Sequence, residues 1–141
     1  MGKVKLYYLM RWFELKGLNY VSNMLRRLNI IINGVDISPK TEIGYNLKIH
    51  HGVGLVIGGA VKIGNNFTVF HNVTIGTGSL RLIEEGVQNR SPTIGDNVTI
   101  YPCSVVIGPI KIGDGAVIGA HCVVAKDLPQ GKMLSAGSVW K

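Results

Sequence analysis

At 141 residues the chain holds one ordinary domain and not two. Hydrophobic residues make up 46% and aromatics only 7%, with 19 glycines, which suits thin β layers filled by branched aliphatics better than a helical core. The net charge of +7 is concentrated: residues 1–34 carry Lys3, Lys5, Arg11, Lys16, Arg26 and Arg27 against Glu14, a net of +5. No nucleic-acid-binding motif accompanies that charge, which argues against a nucleic-acid partner. Cys103 and Cys122 make no disulfide framework, Arg11 and Glu14 interrupt any leader-like apolar run, and no stretch reaches membrane-spanning length. A cytoplasmic location is expected.

In chain order, Leu6, Leu9, Met10 and Phe13 recur at helical spacing, and Val21, Met24, Leu25 and Leu28 do so again. Gly17-Leu18-Asn19 weakens the middle and Asn33-Gly34 is a turn signal, so residues 1–34 are predicted as two short helices or one kinked one. Their apolar stripe is expected to cap the open first coil of the repeat that occupies the rest of the chain. The alternative is peripheral membrane contact, favoured by the Lys/Arg content and by Tyr7, Tyr8, Trp12 and Phe13.

From Ile37 the chain repeats every six residues: Ile43, Ile49 and Leu55, then Ile63, Val69 and Ile75. The eight-residue step from Leu55 to Ile63 predicts a two-residue bulge there. Roughly Thr77 to Thr93, with Glu84, Glu85, Gly86, Asn89 and Arg90, breaks the period and reads as a projecting loop. The step resumes at Ile94 and runs through Ile100, Val106, Ile112, Ile118 and Val124. Six-residue spacing fits neither an α-helix nor a simple run of alternating strands. It fits a coil of three short strands whose stacked turns bury aliphatic ladders that no single turn could bury alone. The expectation is an all-β solenoid over residues 35–141, with a little over four coils of eighteen residues.

Several stretches carry a resemblance. They are Val35-Asp36-Ile37-Ser38-Pro39 through Ile49-His50-His51-Gly52, Asn72-Val73-Thr74-Ile75-Gly76, and the block from Pro92 to Pro129. Over about residues 35–137 the chain resembles the left-handed parallel β-helix acyltransferases, and more narrowly the serine acetyltransferase branch. Exopolysaccharide O-acetyltransferases of the colanic-acid type belong to that branch and share Ile-His-His-Gly. The resemblance implies a homotrimer with active sites between subunits and acetyl-CoA as co-substrate, with no metal. It makes His51 the catalytic base and Asp36 the carboxylate that orients it. An imidazole with an ordinary pKa of about 6.5 suits removal of an alcohol proton near neutrality. A carboxylate on its second nitrogen would fix the tautomer and stabilise the imidazolium. Asp36 lies just under one coil before His51, so adjacent coils are expected. His71 stands two residues after Val69 as His51 does after Ile49, so the two should share a column. His121 reads as a corner residue.

The positions matching the family's CoA contacts are Gly76, Thr77, Cys103 and Ala120, with Lys126 for a phosphate. Pro102 departs from the pattern, since it lacks an N–H. His50, His71 and Arg90 are the acceptor-binding candidates. The serine enzymes place an acidic residue before the base, where this chain has His50. They carry Arg-His before Pro in the loop, where this chain has Arg90-Ser91-Pro92, and they have a long N-terminal helical domain not found in this sequence. Arg90 can still hold a carboxylate bidentately. These departures favour a sugar or polysaccharide-precursor hydroxyl, free or lipid-linked, as acceptor, with serine the alternative. A γ-type carbonic anhydrase, which shares this β-helix and gathers interfacial histidines, is a remote alternative, as is a silent scaffold.

Overall fold

The computed structural model describes residues 2–78, 86 and 88–141, so residues 79–85 and 87 of the expected loop lie outside the described residues. Two helices, α1 (Lys3–Leu15) and α2 (Asn19–Asn33), precede the strands. The break falls at the Gly17 region, where Gly17 has φ +74, and α2 ends on Gly34 at φ +67, whose N–H donates to Ile30 O.

Five coils succeed the helices. The first holds β1 (Val35–Ile37), β2 (Glu42–Ile43) and β3 (Lys48–Ile49). The second holds β4 (Leu55–Ile57), β5 (Lys62–Ile63) and β6 (Thr68–Val69), and the third β7 (Thr74–Gly76), β8 (Thr93–Ile94) and β9 (Thr99–Ile100). The fourth holds β10 (Val105–Ile107), β11 (Lys111–Ile112) and β12 (Val117–Ile118). The fifth holds β13 (Val123–Val124) and β14 (Met133–Leu134), with β15 (Val139–Trp140) beginning another turn. Every pairing is parallel, and each strand meets its counterpart one coil away, giving three sheets around one core. This is a left-handed parallel β-helix. The tail beyond Leu128 adds the rest of the fifth coil, which the six-residue step had not reached.

Three ladders of inward side chains fill the prism. They run Ile37–Ile57–Ile75–Val106–Val124, Ile43–Ile63–Ile94–Ile112–Leu128 and Ile49–Val69–Ile100–Ile118–Leu134. Phe67, Val73, Val98 and Ala116 are fully buried between them. Strands of two or three residues contribute little alone, so stability comes from this continuous stack. The coil corners are tight. A Cβ on Gly113 would come within 2.6 Å of Gln130 Cα in the next coil, so only glycine fits there. Another corner carries Asn46, Asn66 and Asn97, all at positive φ, joined amide to amide at 2.8 and 3.0 Å.

The ladder register corrects the expected bulge. Ile57, not Leu55, matches Ile37 below and Ile75 above, so the first coil takes twenty residues where Ile57 to Ile75 takes eighteen. Ile49 pairs with Val69, and Asn72 N–H donates to Val53 O, so the two extra residues are His51 and Gly52. The inserted pair is the one that carries the candidate base.

α1 caps the first coil. Leu6, Tyr7 and Met10 are buried. Tyr7 Oη donates to Thr41 O at 2.8 Å and accepts from Ile43 N–H, and burial pushes its pKa up to about 12. Tyr8 Oη donates to Gly44 O and Arg11 Nη1 to Pro39 O. α2 shares the capping only in part, through Leu25, which packs against the core. Its buried residues are polar: Ser22 Oγ donates to Met10 O, and Asn29 Nδ2 to Lys3 O. Val21 and Leu25 are half-buried, whereas Met24 and Leu28 face outward with Tyr20 and Ile31. Among the described residues no helix is long and apolar enough to cross a membrane.

Candidate active site

His51 sits where the chain leaves the third sheet for the first. Gly52 N–H donates back to His50 O at 2.8 Å, closing a three-residue turn with His51 at its centre at φ +65. Such a γ-turn with positive φ is rare and strained for a side-chain-bearing residue. It is held from behind, since a Cβ on Gly52 would lie 2.8 Å from Val35 Cγ2 and 3.0 Å from Ile49 Cγ2. Lys3 Nζ donates to His51 O at 3.3 Å, tying the turn to α1.

The insertion lifts the exposed His51 ring off the ladder and sets it against His71 of the second coil. The ring centroids are 5.7 Å apart and the planes 81° apart. A hollow of about 340 Å³ opens between them, lined by His51, Val53, His71 and Asn72. His71 Nδ1 is buried and has no hydrogen-bond partner among the described residues. The two histidines expected in one column thus meet, although His71 stacks by backbone over Val53 and not over His51.

Asp36 is placed differently from expectation. It lies on β1, one coil below Val56, and its Oδ1 accepts from Arg26 Nε at 2.6 Å. Among the described residues no hydrogen bond joins it to His51. Arg26 had no marker in the repeat pattern, because it comes from α2. His50 also leaves the hollow. Its ring stacks on Phe70 at 4.8 Å, and Phe70 stacks on Tyr101 at 5.0 Å, making an aromatic ladder on the adjoining face. Phe70 and Tyr101 follow Val69 and Ile100 as His50 follows Ile49, a spacing that would have revealed them.

Cys103 and Ala120 share the corner with His71. His71 O accepts from Cys103 N–H, Pro102 O from His121 N–H, and Ala120 O from Gly137 N–H, so the corner rises coil by coil from Val53. Cys103 and His121 adopt positive φ there, as Asn72 does. Gly76 ends β7, with open space where a Cβ would lie, and Thr77 is exposed beside it. Arg90 is half-buried at the foot of the loop, its carbonyl taking Gly78 N–H, and Ser91 beside it is buried, its Oγ without a partner among the described residues. Lys126 lies far up the coil, its Nζ 4.6 Å above the Trp140 ring, with Lys132 at 5.3 Å on the same ring. Among the described residues no three His, Cys, Asp or Glu side chains converge as metal ligands.

The bacterial transferase hexapeptide (six repeats) family matches residues 91–126. A serine acetyltransferase of Helicobacter pylori is 39% identical over 113 residues, covering 79% of this chain and 63% of its own length. One of Mycobacterium tuberculosis is 36% identical, covering 86% of this chain and 51% of its own length. The crystal structure of Neisseria gonorrhoeae serine acetyltransferase superposes with a TM-score of 0.84 at 31% identity, over 93% of this chain and 48% of that one. The chain therefore spans between about half and under two thirds of these relatives. The fold and the repeat define a hexapeptide-repeat β-helix like that of these enzymes. The hexapeptide repeat is shared with the bacterial transferase hexapeptide family, and the relatives this chain resembles are serine acetyltransferases.

Proposed function

We propose that the chain transfers acetyl from acetyl-CoA to a hydroxyl, with His51 as general base. The observation that carries this is the His51 ring on its inserted turn, at the rim of the hollow it shares with His71. An acceptor hydroxyl in that hollow would lose its proton to His51 as its oxygen attacks the thioester carbonyl. The tetrahedral intermediate would then expel the CoA thiolate, to which His51 returns the proton. The corner of His71, Cys103 and Ala120 offers backbone along which the acyl arm can run, with Gly76 and Thr77 at its side. Pro102 withholds one N–H from that corner. Lys126 and Lys132 around Trp140 supply positive charge and an aromatic face suited to a nucleotide phosphate end.

For the acceptor, the relatives favour serine over the sugar hydroxyl that the sequence departures suggested, and the Neisseria gonorrhoeae enzyme has also been solved with serine. Arg90 is the candidate for the serine carboxylate. A sugar acceptor keeps support from His50 and Ser91, which stand where the resemblance places an acid and a histidine in serine enzymes. The assembly inferred is a homotrimer with sites between subunits. The outward Tyr20, Met24, Leu28 and Ile31 of α2, in a basic segment, support peripheral contact with an anionic membrane face.

The test is thiol release from acetyl-CoA with L-serine and a panel of sugars. Turnover with one acceptor class, reduced on the order of 10²–10⁴-fold in His51→Ala, is expected. Full turnover in that variant would overturn the assignment of the base.

A further inference from the structure

An acid–base imidazole works well only when a partner on its other nitrogen fixes its tautomer and orientation. Resemblance gives that part to Asp36, but here Asp36 Oδ1 is held by Arg26 Nε at 2.6 Å. The ring that does face His51 belongs to His71, 5.7 Å away between centroids and nearly perpendicular. His71 also has an unmet requirement. Its Nδ1 is closed off from water without a hydrogen-bond partner among the described residues, an arrangement that native structures seldom leave uncompensated.

Resting on the reading of His51 as base, we infer that His71 is the positioning residue of that base, so that the site works as an imidazole pair. As the acceptor O–H bond breaks and an N–H bond forms on one nitrogen of His51, the N–H on the other nitrogen donates to the lone pair of neutral His71. No second proton moves. The positive charge is shared by the hydrogen bond until the CoA thiolate takes the proton back and both rings return to neutrality. Val53 and Asn72, the other residues lining the hollow, cannot titrate. Among the described residues the charged and titratable groups around the pair are few. Lys3 Nζ contacts His51 O, the Arg26–Asp36 pair comes from α2 and β1, and Cys103 binds His71 O through its N–H. His50 is turned away onto Phe70.

The test uses His71→Ala, His71→Asn and His71→Gln in the full chain. A hydrogen bond to the charged form favours that form, so the wild-type acid limb of kcat/KM should lie higher in pH than that of His71→Ala. In His71→Ala kcat should fall roughly 10–10²-fold with acceptor KM little changed. The Asn or Gln amide, which can still accept, should restore part of that loss. NMR titration of the imidazole protons gives a readout independent of turnover. His51 and His71 should titrate as a coupled pair, and His51 should titrate as a single site in His71→Gln, with His50 and His121 unchanged as internal references. An unmoved acid limb, a change confined to acceptor KM, or independent titration of the two rings would each overturn the pairing. If His71→Ala does not fold, the Asn and Gln variants decide the question alone. Wild-type protein that releases no thiol with any acceptor would instead overturn the acetyl-transfer reading, and the titration would still judge the imidazole pair.

Discussion

Replacing Gly52 by Ala perturbs the inserted turn without touching either imidazole. Two costs add. Gly52 has φ +87, a backbone region that costs an L-residue about 1–2 kcal/mol. The new methyl would lie 2.8 Å from Val35 Cγ2, 3.0 Å from Ile49 Cγ2 and 3.1 Å from Lys3 Cδ. The lysine can move aside, but Val35 is fully buried, and overpacking of that kind costs roughly 1–3 kcal/mol. The sum is about 2–5 kcal/mol, which at roughly 3–4 °C per kcal/mol lowers Tm by about 6–20 °C. Gly17→Ala is the control. It has a similar φ of +74 but no atom within 4 Å of the new methyl, so only the backbone cost remains, about 1–2 kcal/mol. Thermal unfolding of both variants is followed beside kcat/KM at a temperature where both are folded. A shift of the His51 ring by about 1 Å would lower turnover on the order of 10²-fold in the Gly52 variant and leave the Gly17 variant unaffected. Equal Tm losses in the two would refute the packing argument. Unchanged turnover in a destabilised Gly52→Ala would refute the claim that this turn places the base.

Two further outcomes concern the frame around the site. Tyr7 is buried, and its pKa is raised to about 12 from 10 chiefly by desolvation. The folded state therefore holds the phenol proton more tightly than the unfolded chain does. That contribution is complete below pH 10 and is lost as pH rises towards 12, about 3 kcal/mol in all. Urea midpoints between pH 9 and 12 should fall in the wild type and flatten in Tyr7→Phe; parallel profiles would contradict the burial argument. Phe67 is fully buried in the second coil, so Phe67→Ala should cost about 3–5 kcal/mol in urea unfolding. A loss under 1 kcal/mol would mean that the prism tolerates a large void.

The ladders from Ile94 to Val124 were legible because each coil asks for an aliphatic at the same inward position, which imprints a period on the chain. The same rule misplaced the bulge. In a three-residue strand the first and third side chains both point inward, so buried Leu55 satisfied the step from Ile49 although Ile57 holds the true register. The tail escaped because the step shortens from six residues to four between Val124 and Leu128, after which Leu134 and Trp140 resume it. Within the site, His51 and His71 could be drawn together from their spacing. The Arg26–Asp36 bond could not, because it joins a helix to a strand, and their relative placement follows from packing rather than from any period. For α2, helical spacing marked an apolar stripe but not the direction it faces.

Parallel strands piled in one direction present unsatisfied amides and carbonyls at both extremities, and a second molecule laid end to end could prolong the sheets without limit. Beneath the first coil that route is blocked. The hydroxyls of Tyr7 and Tyr8 and the guanidinium of Arg11 already occupy the carbonyls of Thr41, Gly44 and Pro39. The lowest rung is thus spoken for by side chains that cannot pass its register on to a neighbour, and α1 guards against filament growth as well as closing the core.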